Sequence, residues 1–146
     1  MSDNTLLVLL LAGIAFDWHS TYLALSGDRG NTEANLLLGN LKPGHGFHKK
    51  MLVVAVVLLG AYAVHRWGDP TGWLGGENGS FLLLAVALAK LLASVNNYIL
   101  HLTDFSMLAV ISRPLERVLP KRLAAYLAMF ILLVPPVLLI AELILH

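Results

Sequence analysis

The sequence predicts an all-α integral membrane protein, a four-transmembrane-helix bundle, on three observations. Hydrophobic residues make up 58% of the 146 and charged ones only 13%, far from the balance of a soluble domain. Four apolar segments are each long enough to cross a hydrocarbon core of about 30 Å. The basic residues between them fall mainly into two of the three connections. A chain of this length reads as a single membrane domain over 1–146.

The first span covers 5–25 and, as a helix, rises about 31 Å, which matches the core. A cleaved leader is the competing reading, because "ALSG" offers small residues at a cleavage point. The opening "MSDNT" is acidic where a leader is basic, so cleavage is not expected. Next, "NTEANLLLGN" predicts a short interfacial helix over 32–39. Asn31 or Thr32 caps it, Glu33 lies in its first turn, Gly39 or Asn40 closes it, and Leu36, Leu37 and Leu38 press into the interface. The second span, 47–67, holds an unbroken apolar run over 51–64, with Lys49 and Lys50 snorkelling at one end and Trp67 in the opposite interface.

After the turn signals "GGENGS", the third apolar segment runs from Phe81 to about Ser112, where Arg113 and Pro114 stop it. That is too long for one upright span. Either the third helix is long and tilted, or it crosses over 81–103 and is continued by an interfacial helix carrying "FSMLAVI". The fourth span, 123–145, contains Pro135 and Pro136, which remove two backbone donors and predict a kink at the Pro-Pro pair.

Arg29, Lys42, Lys49 and Lys50 precede or open the second span, and Arg113, Arg117, Lys121 and Arg122 lie between the third and fourth, whereas the second connection has only Arg66. The positive-inside rule then makes the first and third loops cytoplasmic and leaves both termini outside, in a membrane of the bacterial inner-membrane type. Asn78-Gly79-Ser80 fits a glycosylation acceptor on the outer side, a pattern short enough to recur by chance. The absence of cysteine excludes a disulfide framework, thiolate catalysis and any Cys-ligated metal. A net charge of +1 from scattered basic residues argues against a nucleic-acid partner.

The informative residues are the polar ones inside the spans. An ionised carboxylate at bilayer depth costs about 2.5–3.5 kcal/mol on insertion scales, so Asp17 is expected to face protein and to have a partner. Gly13, Asp17, Ser20 and Thr21 share one helical face, a small and polar stripe suited to close contact. His19, about 200° around the helix from Asp17, points elsewhere. On the third segment Lys90, Asn97, His101 and Asp104 are spaced by seven, four and three residues and share one face. The first and third spans cross in the same direction, which puts Asp17 and Thr21 at a depth similar to Asn97 and His101. Asn96 is a step off this face and is expected to bond a neighbouring backbone. Glu33 and Asn35 can reach the cytoplasmic end of the stripe. His45 and His48, three apart, can chelate a cation if helical, but read first as interfacial loop residues.

The run "FDWHSTYLALSGDRGNTEAN", with Asp17, Ser20, Thr21, Glu33 and Asn35, resembles the D-x-x-S/T to E-x-N signature of small multi-pass prokaryotic membrane proteins of uncharacterised activity. It covers about a fifth of the chain, with Leu36 where that group usually has proline. The resemblance implies only that Asp17, Glu33 and Asn35 belong to a shared feature.

Three functions fit these residues. The first is a protein that binds or moves a cation or proton at a polar intramembrane site on the cytoplasmic half of the bundle, acting as a homo-oligomer. Its candidate metal ligands are Asp17, Glu33, Asn97, His101 and Asp104, supported by Ser20, Thr21, Asn35 and Lys90. Carboxylate with imidazole suits Zn, Fe or Mn, and carboxylate with amide oxygen suits Mg or Ca. The second is an accessory subunit whose polar face docks in a larger membrane complex, the cluster then fixing helix register, with Lys90 neutralising an acid. The third is a metal-dependent enzyme acting on lipid. It is the weakest, since no serine nucleophile motif, H-E-x-x-H pair or phosphate-cradling loop is present.

Overall fold

The computed structural model describes residues 2–26, 46–68, 74–103 and 106–145. They form five α-helices: α1 Asp3–Ser26, α2 Phe47–Trp67, α3 Gly76–Thr103, α4 Met107–Leu115 and α5 Lys121–Leu145. Among the described residues there is no strand. Four of the helices, α1, α2, α3 and α5, are long and apolar enough to cross a membrane, which is the constitution of an integral membrane protein. The short helix expected over 32–39 and His45 lie outside the described residues.

α3 begins ahead of Phe81, because the glycine-rich stretch expected as a turn supplies its first turn. Gly76 takes φ 61, a left-handed conformation that favours glycine. Glu77 then complements the positive end of the helix, and the Ser80 hydroxyl donates to the Gly76 carbonyl at 3.4 Å. Across this turn His65 of α2 donates from Nδ1 to the Leu74 carbonyl at 2.5 Å, and its Nε2 lies 3.2 Å from Ser80 Oγ. Gly79 is buried below, where a Cβ would fall 1.8 Å from the Leu74 carbonyl oxygen.

α3 is 28 residues long, and α4 follows it with a cap of its own. Ser106 Oγ accepts from the Ala109 N–H at 3.2 Å, an N-cap bond. Asn96 of α3 ties the two helices together, its Oδ1 accepting from the Leu108 N–H at 3.4 Å. Ser106→Ala should therefore weaken α4 by about 1 kcal/mol. Amide exchange would read this as faster exchange in α4, with α3 unchanged. α5 stays helical through Pro135 and Pro136, although the prolines leave the carbonyls of Ile131 and Leu132 without their i+4 donors.

α1 packs chiefly on α3, while α5 packs on α3 and α4 and α2 touches α1 and α3 more lightly. Gly13 of α1 faces Ala87 and Lys90, and Thr21 faces Asn97, so residue numbers rise together and the two helices are parallel. Their contact buries Leu6, Leu10 and Ile14 against Leu83, Leu84 and Ala87, with Ala55, Tyr62 and Ala141 completing the cluster. At that end Arg66 Nε lies 3.1 Å from Asp3 Oδ2, and the Tyr62 hydroxyl donates to the Asp3 carbonyl at 3.1 Å. At the opposite end Leu25 of α1 packs with Phe47 and Met51 of α2. Leu52, Val53, Val56, Val57, Phe130 and Leu139 are more than half exposed, an apolar exterior suited to acyl chains rather than water.

Candidate functional site

The site grows from the absence of a side chain at Gly13. A Cβ there would lie 2.8 Å from the Ala87 carbonyl oxygen and 3.2 Å from Lys90 Cβ, so the bare backbone is what lets α3 come this close. Lys90 starts from that contact at the middle of α3 and reaches one turn along α1, where its Nζ lies 2.5 Å from Asp17 Oδ2. The two side chains are only 17% and 10% exposed, an ion pair withdrawn from solvent within two membrane-spanning helices.

Hydroxyls and an amide surround the pair. Ser20 Oγ donates to the Asp17 carbonyl at 3.3 Å, and Ser94 Oγ donates to the Lys90 carbonyl at 2.7 Å. One turn further, Asn97 Nδ2 donates to Thr21 Oγ1 at 3.0 Å and bridges the same two helices. Among the described residues, no buried side-chain nitrogen or oxygen lacks a hydrogen-bond partner.

The structure thus brings Asp17 to Lys90 and Thr21 to Asn97, with Ser20 beside them. His101 stands in the last turn of α3, exposed, and roughly 16 Å beyond Lys90 along the helix axis. Glu33, Asn35 and Asp104 lie outside the described residues. Among the described residues no three His, Asp or Glu side chains gather as a metal site.

Sequence reasoning did not single out Ser94 or Tyr98. Ser94 is four residues after Lys90 and three before Asn97, so helical spacing alone puts it on their face. Tyr98 meets His19 across the helices, hydroxyl to Nδ1 at 2.7 Å. His48 bridges α2 to α1: Trp18 Nε1 donates to its Nδ1 at 3.1 Å. Since an indole N–H only donates, this bond requires an unprotonated His48 Nδ1. Tyr22 stacks on the His48 ring at a centroid distance of 5.7 Å. A recess of about 390 Å³ opens here, lined by Ala15, Trp18, His19, Tyr22 and His48, and neither Asp17 nor Lys90 reaches it.

No protein-family model, curated protein or solved structure matches this chain.

In a low-dielectric interior an uncompensated charge costs several kcal/mol, so the Asp17–Lys90 pair must carry no net charge. Three arrangements satisfy that demand: carboxylate with ammonium, carboxylic acid with neutral amine, or carboxylate holding a monovalent cation with the amine neutral. The first needs nothing from outside. The second follows from proton transfer within the pair, and the third releases the Lys90 proton as a cation arrives, which balances both charge and atoms.

Proposed function

We propose that this protein exchanges a proton for a small monovalent cation at the Asp17–Lys90 pair, with Lys90 acting as the built-in competitor for the carboxylate. The observation that carries the reading is the ion pair itself, 2.5 Å long, shielded from solvent and placed between two membrane-spanning helices. Ionisable groups at bilayer depth are costly and mark ion or proton sites by default. The packing could be achieved with apolar residues at lower electrostatic cost.

In this reading the loops rich in Lys and Arg face the cytoplasm of a bacterial-type inner membrane, and both termini lie outside. α5 bends at Pro135 and Pro136. The bundle works as a homo-oligomer or within a larger membrane complex, supported by the light contact of α2 with α1 and α3.

Difference infrared spectroscopy of the protein in liposomes tests the binding. Addition of a monovalent cation should change the carboxyl bands of the native chain, excess protons should reverse the change by returning Lys90 to its ammonium form, and Asp17→Asn should abolish it. A native chain whose carboxyl bands ignore monovalent cations would sink the proposal and leave the pair as a register-fixing contact of an assembly subunit. A response confined to divalent metals would overturn it too, since a divalent ion calls for acidic ligands beyond Asp17, such as the candidates Glu33 and Asp104.

A further inference from the structure

Among the described residues of α1 and α3, buried hydrogen-bonding side chains continue away from the Asp17–Lys90 pair in one direction only. Toward the C-terminal ends of α1 and α3 come Ser20, Thr21 and Ser94, all buried, and then half-buried Asn97, bonded to Thr21. One turn past Asn97, His101 is exposed. In the other direction the same helices bury Leu6, Leu10 and Ile14 against Leu83, Leu84 and Ala87. From Leu6 to Ile14 this layer is about 12 Å deep along the axis. The buried polar residues described on α1 and α3 are Asp17, Ser20, Thr21 and Ser94, and none belongs to the aliphatic layer. At its far end stands Tyr62, whose hydroxyl is already committed to the Asp3 carbonyl.

A water molecule needs two to four polar partners to occupy an interior site, and this layer offers no side chain that could supply them. A proton or cation entering it would lose its solvation with no replacement, at a cost of many kcal/mol. We infer that the pair exchanges its proton or cation with one face of the membrane only, the face at the C-terminal ends of α1 and α3, and that the aliphatic layer seals it from the other. The inference rests on the binding reading above and adds a direction to it: this fold is a one-sided acceptor rather than a continuous path. The basic residues Arg113, Arg117, Lys121 and Arg122 assign that face to the cytoplasm.

Because the chain has no cysteine, single cysteines read access directly. Lys121→Cys and Glu77→Cys, both at exposed positions, mark the two faces of sealed vesicles independently of any topology rule. A membrane-impermeant thiol reagent should modify Asn97→Cys only from the face that modifies Lys121→Cys, and Leu10→Cys from neither. Modification of Asn97→Cys from the Glu77 face, its failure to react from either face, or modification of Leu10→Cys from any side would overturn the inference. Water-edited solid-state NMR of the unmodified chain in bilayers repeats the test without substitution. Magnetisation from water should reach Thr21 and Asn97 and be lost at Leu10 and Leu84; transfer to the leucines would overturn it equally. One-sided access with no infrared response from Asp17 would defeat the binding reading alone, and two-sided access with the response intact would defeat the sidedness alone.

Discussion

Lys90→Met is expected to destabilise the bundle by about 3–5 kcal/mol, because it strands the Asp17 carboxylate without its ammonium. Removing only the acid, in Asp17→Asn, strands the ammonium and should also destabilise. The double variant Asp17→Asn/Lys90→Met should recover most of the loss, since a buried ion pair replaced on both sides is often close to neutral. Reversible unfolding in mixed micelles, analysed as a double-mutant cycle, measures the coupling. Strictly additive losses would show that the two groups do not depend on each other.

The second large effect is expected at Gly13. An alanine methyl would lie 2.8 Å from the Ala87 carbonyl oxygen, and a backbone atom in the middle of a helix cannot move aside as a side-chain tip can. Overpacking of this kind costs about 1–3 kcal/mol, and the helices can relieve it only by separating. Separation lengthens the reach from Lys90 to Asp17, so Gly13→Ala should diminish the infrared response of Asp17 along with stability. Gly60 on α2 is the control, because nothing lies within 4 Å of its Cβ position. Gly60→Ala should leave the response intact and, by removing a flexible helix residue, add about 0.5–1 kcal/mol. A Gly13→Ala protein as stable as the native chain would contradict the close α1–α3 contact.

The spanning helices were legible because the apolar segments match the length that a hydrocarbon core demands, the short run over 51–64 being completed by Lys49 and Lys50 at one end and Trp67 at the other. Legible too was the need of Asp17 for a partner, and helical spacing narrowed the partners to one face of α3. Which member of that face meets Asp17 was not legible. Lys90, Asn97 and His101 share the face, and the choice among them depends on axial register, which the close approach at Gly13 sets. A spacing rule sees the face and not the register. Asn96 was readable as a backbone partner, and it accepts from the Leu108 N–H. Tyr98 was not: its bond to His19 needs the packing angle of two helices, which no single-helix periodicity contains. The start of α3 was obscured for another reason, since Gly, Asn and Ser signal turns by propensity while the contacts of His65 and the burial of Gly79 hold them helical.

The separation of Asp17 and Lys90 along the chain has a consequence for biogenesis. The two residues are 73 positions apart, and ribosomes extend chains at about 5–20 residues per second, so the acid is synthesised roughly 4–15 s before its counter-charge exists. During that interval the newborn first helix carries a solitary carboxylate into the translocation machinery. It should linger at the lateral gate, released into lipid only once the third helix has emerged beside it.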